Sequence, residues 1–271
     1  MSENKSLLKL KAITKVFAKG TIDEVTALNG INLDVNGGDY IAIIGSNGAG
    51  KTTLLNVIAG VYPPESGEII LNGRNITKLC EYRCANYVGR VYQDPHVGTA
   101  AKMTIEENLA MAMLRGQPRG LRAASNKQRR ELFRAALAPL GLGLENRLST
   151  LVGTLSGGQR QVVSLIMATI SNPALLLLDE HIANLDPRTA KTVLDLTDMI
   201  VTREKMTTLM VTHNMELVLK YGNRLIMMHQ GRIVVDLNQQ QRAGLTIDDL
   251  VAAFREAAGR GFVEDKILLR R

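Results

Sequence analysis

The sequence predicts an α/β fold built on a mostly parallel sheet. Three observations lead there. Short apolar runs of strand length alternate with stretches of helical period, the pattern of a sheet whose crossovers are helices. A glycine-rich segment, Gly45–Thr52, stands between one such run (Tyr40–Ile44) and a helical one (Thr53–Ala59). From about 94 to 171 the strand-like runs cease and helical period takes over.

Taken in order, residues 7–13 alternate as a strand does, Phe17 follows, and 18–24 make a polar loop before a second strand-like run at 27–35. Gly37, Gly38 and Asp39 turn the chain into the run Tyr40–Ile44. Residues 63–67 (PPESG) carry turn chemistry, 68–71 is a short strand, and Asn72-Gly73 turns again. These pieces make an antiparallel β flap. Val88–Tyr92 reads as a buried strand. Thr104 with Glu107 three residues on is a capping box that starts a helix; 127–138 is a second helix, stopped by Pro139 and Gly141, and 156–170 a third that opens on glycines. Strands return at 175–178, 208–211 and 225–228, with a helix at 187–203 between the first two. A Gln-rich turn at 239–241 precedes a helix candidate at 246–258.

The 271 residues, 45% hydrophobic, suffice for one large domain or a core with a subdomain. No apolar run approaches the ~18 residues that cross a bilayer, and the polar start of the chain lacks the apolar segment of a signal peptide, so a cytoplasmic protein is expected. Cys80 and Cys84, four apart, would share one helix face; neither a structural disulfide nor a complete metal site is expected of them. The net charge of +7 is densest at Arg115, Arg119, Arg122, Lys127, Arg129 and Arg130, with Lys266, Arg270 and Arg271 closing the chain. Charge alone is compatible with nucleic acid, an anionic membrane surface or simple solubility.

Gly45–Thr52 (GSNGAGKT) fits the phosphate-loop pattern G-x-x-x-x-G-K-[ST]. Its glycines let backbone N–H groups converge on an anion, and the helix that follows adds its own N–H groups and dipole. Lys51 would reach the β- and γ-phosphates, and the Thr52 hydroxyl would ligate Mg²⁺. The run Leu175–Leu178 delivers Asp179 and Glu180 at a strand exit. Asp179 would face Mg²⁺ through water, and Glu180 could aim a carboxylate at an attacking water. Ser156, Gly157, Gly158 and Gln159 open another helix on a serine and two glycines, a second anion-binding start.

With these motifs in order (phosphate loop at 45–52, Gln93, LSGGQ at 155–159, Asp179-Glu180, Asn184-Leu185-Asp186 and His213), the chain resembles the ATPase subunit of an ABC transporter over roughly residues 5–235. The resemblance implies a RecA-like P-loop NTPase core with the β flap (1–93 and 172–236), an inserted helical signature subdomain (94–171) and a helical tail (237–271). It implies ATP and Mg²⁺ as ligands, and a head-to-tail pair of subunits in which Ser156, Gly157, Gly158 and Gln159 of one complete the ATP site of the other. Ser46, Asn47, Gly48, Ala49, Gly50, Lys51, Thr52 and Thr53 would hold the phosphates, and Phe17 would stack on adenine. Thr52, Gln93 and Asp179 would serve the metal. Glu180 is the expected general base, His213 holds the γ-phosphate and orients Glu180, and Asp186 couples the two sites.

Where most members have proline after the catalytic glutamate, this chain has His181. With the segments 93–100 (QDPHVGTA) and 221–225 (YGNRL), this resembles a bacterial importer subgroup that pairs with permeases of the branched-chain amino acid and ribose type. The expected function is then energy coupling for import of a small solute, possible substrates including amino acids. The partners would be a second copy, integral membrane permeases and, indirectly, a solute-binding protein, with no nucleic acid and a location on the inner face of the membrane. A soluble ABC-type ATPase acting on ribosome or DNA fits the charge, but there is one phosphate loop rather than a tandem pair, and positions 94–154 leave no room for a long coiled coil. An exporter ATPase is disfavoured because exporters commonly fuse this domain to membrane spans.

Overall fold

The computed structural model of the chain describes residues 6–117 and 126–258. Arg119 and Arg122 of the basic cluster, and Lys266, Arg270 and Arg271 of the tail, lie outside them. The chain forms two compact units, one of residues 1–84 and 205–271 and one of 85–204.

The first unit opens with long strands β1 (Ser6–Phe17) and β2 (Val25–Asn36), then β3 (Tyr40–Gly45), helix α1 (Lys51–Ile58), strands β4 (Ser66–Leu71) and β5 (Arg74–Asn75) and one turn of helix, α2 (Glu81–Cys84). The second unit runs β6 (Val88–Val91), α3 (Pro95–Gly98), α4 (Ile105–Met113), α5 (Lys127–Leu137), α6 (Gly157–Thr169), β7 (Leu175–Asp179) and α7 (Pro187–Arg203). The chain then returns to the first unit with β8 (Thr208–Val211), α8 (Met215–Lys220), β9 (Arg224–His229), β10 (Arg232–Leu237), α9 (Gln239–Arg242) and α10 (Ile247–Ala258).

Two sheets make the first unit. The expected flap is an antiparallel sheet in the order β2-β1-β4-β5. Its inward positions, Leu8, Leu10 and Ile13 of β1 with Leu28, Ile31, Leu33 and Val35 of β2, are buried, as the period of two requires of a half-buried sheet. The second sheet runs β10-β9-β3-β8. There β3 lies between β8 and β9 with both ladders parallel, and its five residues Tyr40–Ile44 are buried. A strand covered on both faces reads as a continuous apolar run, which is why this one was legible. The antiparallel edge strand β10 was not: its residues are half-exposed and follow a two-residue turn after β9.

In the second unit β6 and β7 pair in parallel, so this unit takes in two strands and α7 as well as the helical stretch expected at 94–171. The reason is close packing: a Cβ at Gly89 of β6 would stand 2.2 Å from the carbonyl oxygen of Ala168 in α6. Helix α4 starts on the expected capping box, Thr104 Oγ1 accepting from the Glu107 N–H while the Glu107 carboxylate accepts from the Thr104 N–H. Helix α5 buries Phe133 and Leu137 only, and its Arg130 pairs with the largely buried Glu106 of α4 at 2.8 Å.

Two expectations are corrected. The Gln-rich segment 239–241 is a helical turn, not an open one, because Asn238 and Gln241 form a capping box. The two cysteines do not share a helix face: Cys80 precedes α2 and is exposed, whereas Cys84 is buried, and both are free. Burial pushes the Cys84 thiol up.

Arg242, at the end of α9, is 8% exposed. Its Nη1 donates to the carbonyl of Gly222, and its Nη2 lies among those of Val218, Leu219 and Tyr221 at 2.5, 3.0 and 3.2 Å. These are the carbonyls that the end of α8 leaves without helical partners. Arg242→Leu should therefore destabilise the protein by about 2 kcal/mol or more, the scale of lost hydrogen bonds from a charged donor. Urea unfolding measures it; a change within about 0.5 kcal/mol, the usual span of neutral surface substitutions, would contradict the capping role.

Candidate functional site

The phosphate loop is shaped by close approach. A Cβ at Gly45 would stand 2.2 Å from the carbonyl oxygen of Met228, and one at Gly50 2.4 Å from that of Ala27. Gly48 and Gly50 have φ of 77° and 94°, the left-handed region that glycine enters without penalty. The loop closes around the buried ammonium of Lys51, which donates to the carbonyls of Gly45 at 2.8 Å and Ser46 at 3.0 Å. Asn47, Gly48 and Thr52 face outward and Thr53 is half-buried, while Ala49 is buried.

Helix α1 begins here without a side-chain cap and without an acidic residue in its first turn. Its N-cap, Gly50, brings no side-chain oxygen to the leading N–H groups, and the first turn of the helix holds no carboxylate. That is the donor set an anion completes, reinforced by the dipole and by Lys51. These residues fit a nucleotide's phosphates.

In the same unit, Phe17 ends β1 half-buried, and its ring meets that of Tyr62 edge-on with centroids 5.3 Å apart. Behind it, Lys15 pairs with Glu65 at 2.8 Å and donates to the carbonyl of Pro63 at 3.0 Å. His213 is exposed between β8 and α8. Asn214 begins α8 by accepting from the N–H groups of Glu216 and Leu217, so the histidine is carried on a capped helix start. Neither Tyr62 nor Asn214 stood out in the sequence, since each lies in an ordinary turn.

The second unit carries the rest. Ser156 caps α6: its Oγ accepts from the Gln159 N–H at 3.3 Å, and Gln159 Oε1 accepts from the Ser156 N–H at 3.3 Å. Since Oγ is the acceptor in that bond, its hydroxyl proton can be donated to an anion. Gly157 is exposed. Gly158 is buried where a Cβ would stand 2.2 Å from Thr189 Cγ2 of α7, so glycine lets α6 and α7 approach. Asp186 begins α7, accepting from the Thr189 N–H at 3.1 Å; these bonds to Thr189 hold its carboxyl below the usual aspartate value.

Gln93 is exposed beyond β6. Just before it, the Tyr92 carbonyl accepts from Nε2 of Gln161, a fully buried residue of α6, at 3.1 Å. Asp179 ends β7 at 6% exposure and pairs with Arg90 of β6, Nη2 to Oδ2 at 3.1 Å. Glu180 follows with φ of 43°, a left-handed geometry uncommon outside glycine. The hydroxyl of Thr52, the amide oxygen of Gln93 and the carboxylate of Asp179 are hard oxygen donors of the kind Mg²⁺ takes.

His181 is 2% exposed, and burial lowers its pKa from 6.5 to about 4. Thr197 donates its hydroxyl proton to the Val193 carbonyl at 2.8 Å, so Thr197 Oγ1 accepts from His181 Nε2–H across 3.2 Å. That fixes the neutral tautomer. His181 anchors the segment after Glu180 to α7.

The family model described as ABC transporter matches residues 28–183. The chain belongs to the ABC transporter family. It is an ATPase of that family, and the P-loop NTPase fold expected from the sequence is borne out. The cassette is 41% identical over 251 residues to a tyrosine transport ATP-binding protein of Clostridioides difficile, spanning 93% of this chain and 100% of that protein. It is 34% identical to the methionine import ATP-binding protein MetN of Bartonella henselae, over 86% of this chain and 65% of MetN. Among solved structures, the dimeric post-hydrolysis state of the cassette MJ0796 bound to ADP and Pi superposes with a TM-score of 0.73 at 25% identity, covering 86% of this chain and 98% of that one. The ADP conformation of the cassette MJ1267 gives 0.74 at 26%, covering 92% and 98%.

The buried His181 has a pH signature. Its folded pKa lies below its unfolded value, so the unfolded chain binds the extra proton first as pH falls. Its contribution is fully present above about 6.5 and is lost as pH drops towards 4, up to about 3 kcal/mol. Unfolding followed from pH 7 to 4 should show a steeper loss of stability in the native chain than in His181→Gln; superimposable pH slopes would contradict it.

Proposed function

We propose that this ATPase is the energy-coupling subunit of an importer for a small solute, and that two copies work head to tail with ATP between them. The observation that carries the nucleotide chemistry is the uncapped start of α1 closed around Lys51. Among the described residues no helix is long and apolar enough to cross a membrane; in this reading the translocation path belongs to separate permease subunits, and the ATPase works beside them on the inner face of the membrane. The amino acid relatives support import: the tyrosine transport protein is matched along its whole length, and a second relative is named for methionine import. A lipoprotein-releasing relative of Chromohalobacter salexigens, LolD, is matched at 34%. We therefore read the solute as an amino acid, delivered by a solute-binding protein to permeases of the branched-chain amino acid and ribose type.

In this reading the residues 46–53 and Lys51 hold the β- and γ-phosphates of ATP, and Phe17 stacks on adenine. Ser156, Gly157, Gly158 and Gln159 of the second copy donate to the γ-phosphate from the opposite side. Thr52, Gln93 and Asp179 would hold Mg²⁺, which would supply positive charge against the phosphate oxygens. Glu180 takes the proton of a water as its oxygen bonds to the γ-phosphorus and the bond to ADP's oxygen breaks. His213 donates to the γ-phosphate and keeps Glu180 in line. The site mostly positions charge, as phosphoryl transfer requires. Asp186, at the start of α7, lies in the segment through which the paired sites sense one another.

Glu180→Gln keeps the shape of the site and removes its base. It should lower kcat by at least about 10²-fold, the scale of general base catalysis. Trapped with ATP and Mg²⁺, it should run as a dimer on size exclusion and recover a multi-span membrane protein from gently solubilised membranes. A monomer under those conditions would contradict the shared site. Recovery of ribosomes or DNA without a permease would contradict the transport role and favour a soluble ABC-type ATPase.

A further inference from the structure

We propose that Arg90 is a positioning residue for the metal-facing carboxylate, and that it links this carboxylate to the signature helix α6. The role rests on the assignment of Asp179 to Mg²⁺ above. Every contact it needs lies within the unit 85–204.

Strand β6 is an apolar strand with one exception. Val88 and Val91 are buried, as are Leu175, Leu176, Leu177 and Leu178 of its partner β7. Arg90 stands among them opposite Leu177 in the parallel register, its side chain 10% exposed and that of Asp179 8%. An ion pair this deep is a poor device for stability alone, because the desolvation of both charges offsets most of their attraction and apolar side chains would serve as well. What a guanidinium adds is direction. Its Nη2 donates to one carboxylate oxygen, Oδ2, at 3.1 Å, and so fixes where that oxygen sits.

The same guanidinium lies 4.5 Å from the centre of the Tyr92 ring, two residues on and therefore on the same side of the strand. The Tyr92 carbonyl is held by Gln161 of α6, and Gln93 comes next. Asp179, Arg90, Tyr92 and Gln161 thus form one contiguous chain from the carboxylate to the helix that Ser156 begins.

The test is the gain in ATP affinity that Mg²⁺ confers, measured by calorimetry in Mg²⁺ and in EDTA for the native chain, Arg90→Gln, Arg90→Lys and Asp179→Asn. Outer partners that orient a metal's ligands are worth about 10–100-fold in metal affinity. Arg90→Gln should lose about tenfold of the Mg²⁺ gain with affinity in EDTA unchanged; Arg90→Lys, which keeps the charge without the fork, should lose about threefold. Asp179→Asn should lose the gain as well, and the double variant Arg90→Gln/Asp179→Asn should lose no more than Asp179→Asn alone. A native Mg²⁺ gain in Arg90→Gln overturns the proposal, as does an equal loss in Mg²⁺ and EDTA, which would mark a structural pair. If Arg90→Gln does not fold, a full native gain in Arg90→Lys overturns it instead. Loss in Asp179→Asn without loss in the Arg90 variants removes only the role of Arg90, whereas a full gain in Asp179→Asn removes the metal assignment beneath it.

Discussion

The rest of this structure depends on one buried ammonium. Lys51 points back into its own loop and is held by the carbonyls of Gly45 and Ser46. Taking a lysine out of water is costly unless its donors are met, and here the loop itself meets them. The chain can bend that tightly only with glycine at the points where it presses on Met228 and Ala27. The loop is thereby fixed to β9 and β2 of the first unit, and α1 begins with its N–H groups aimed outward. A sheet strand, a tight turn and a helix start become one device, and the positive charge at its centre is pre-set for an anion.

The second unit solves a different problem with different means. Its helix starts at Thr104, Ser156 and Asp186 are all capped by side chains, so they are stable without a ligand. Part of its polar interior lies where β6, β7 and α6 meet, in Arg90, Asp179 and Gln161. Polar groups so placed in an apolar setting specify one arrangement, since any slip leaves a buried charge without its partner.

How much of this was legible in the sequence follows from what each residue does locally. The buried strands β3 and β7 were plain because burial on both faces demands unbroken apolar runs. The capping box of Thr104 and Glu107 was plain because both partners lie within three residues. The motifs of the proposed site stood out for the same reason: each is short and suits a backbone task that few residues can perform. Arg90 was overlooked because its partner is eighty-nine positions away; one arginine in an otherwise apolar strand was the available clue. Strand β10 and the reach of Arg242 back to α8 were hidden likewise, since they are set by tertiary contacts rather than by period. The cysteine pair misled because a spacing of four implies one helix face only if the helix covers both, and α2 starts after Cys80.

The serine that opens α6 has two employers. Its oxygen secures a backbone N–H inside its own chain, while its proton remains for an anion. Any side chain in that position must satisfy both demands at once, which favours a short hydroxyl: aspartate would cap the helix yet place a negative charge where the proposed phosphate sits. The start of this helix therefore answers to folding and, in the proposed site, to phosphate binding as well, and a defect measured after changing it cannot be apportioned to either one without a separate readout of helix integrity.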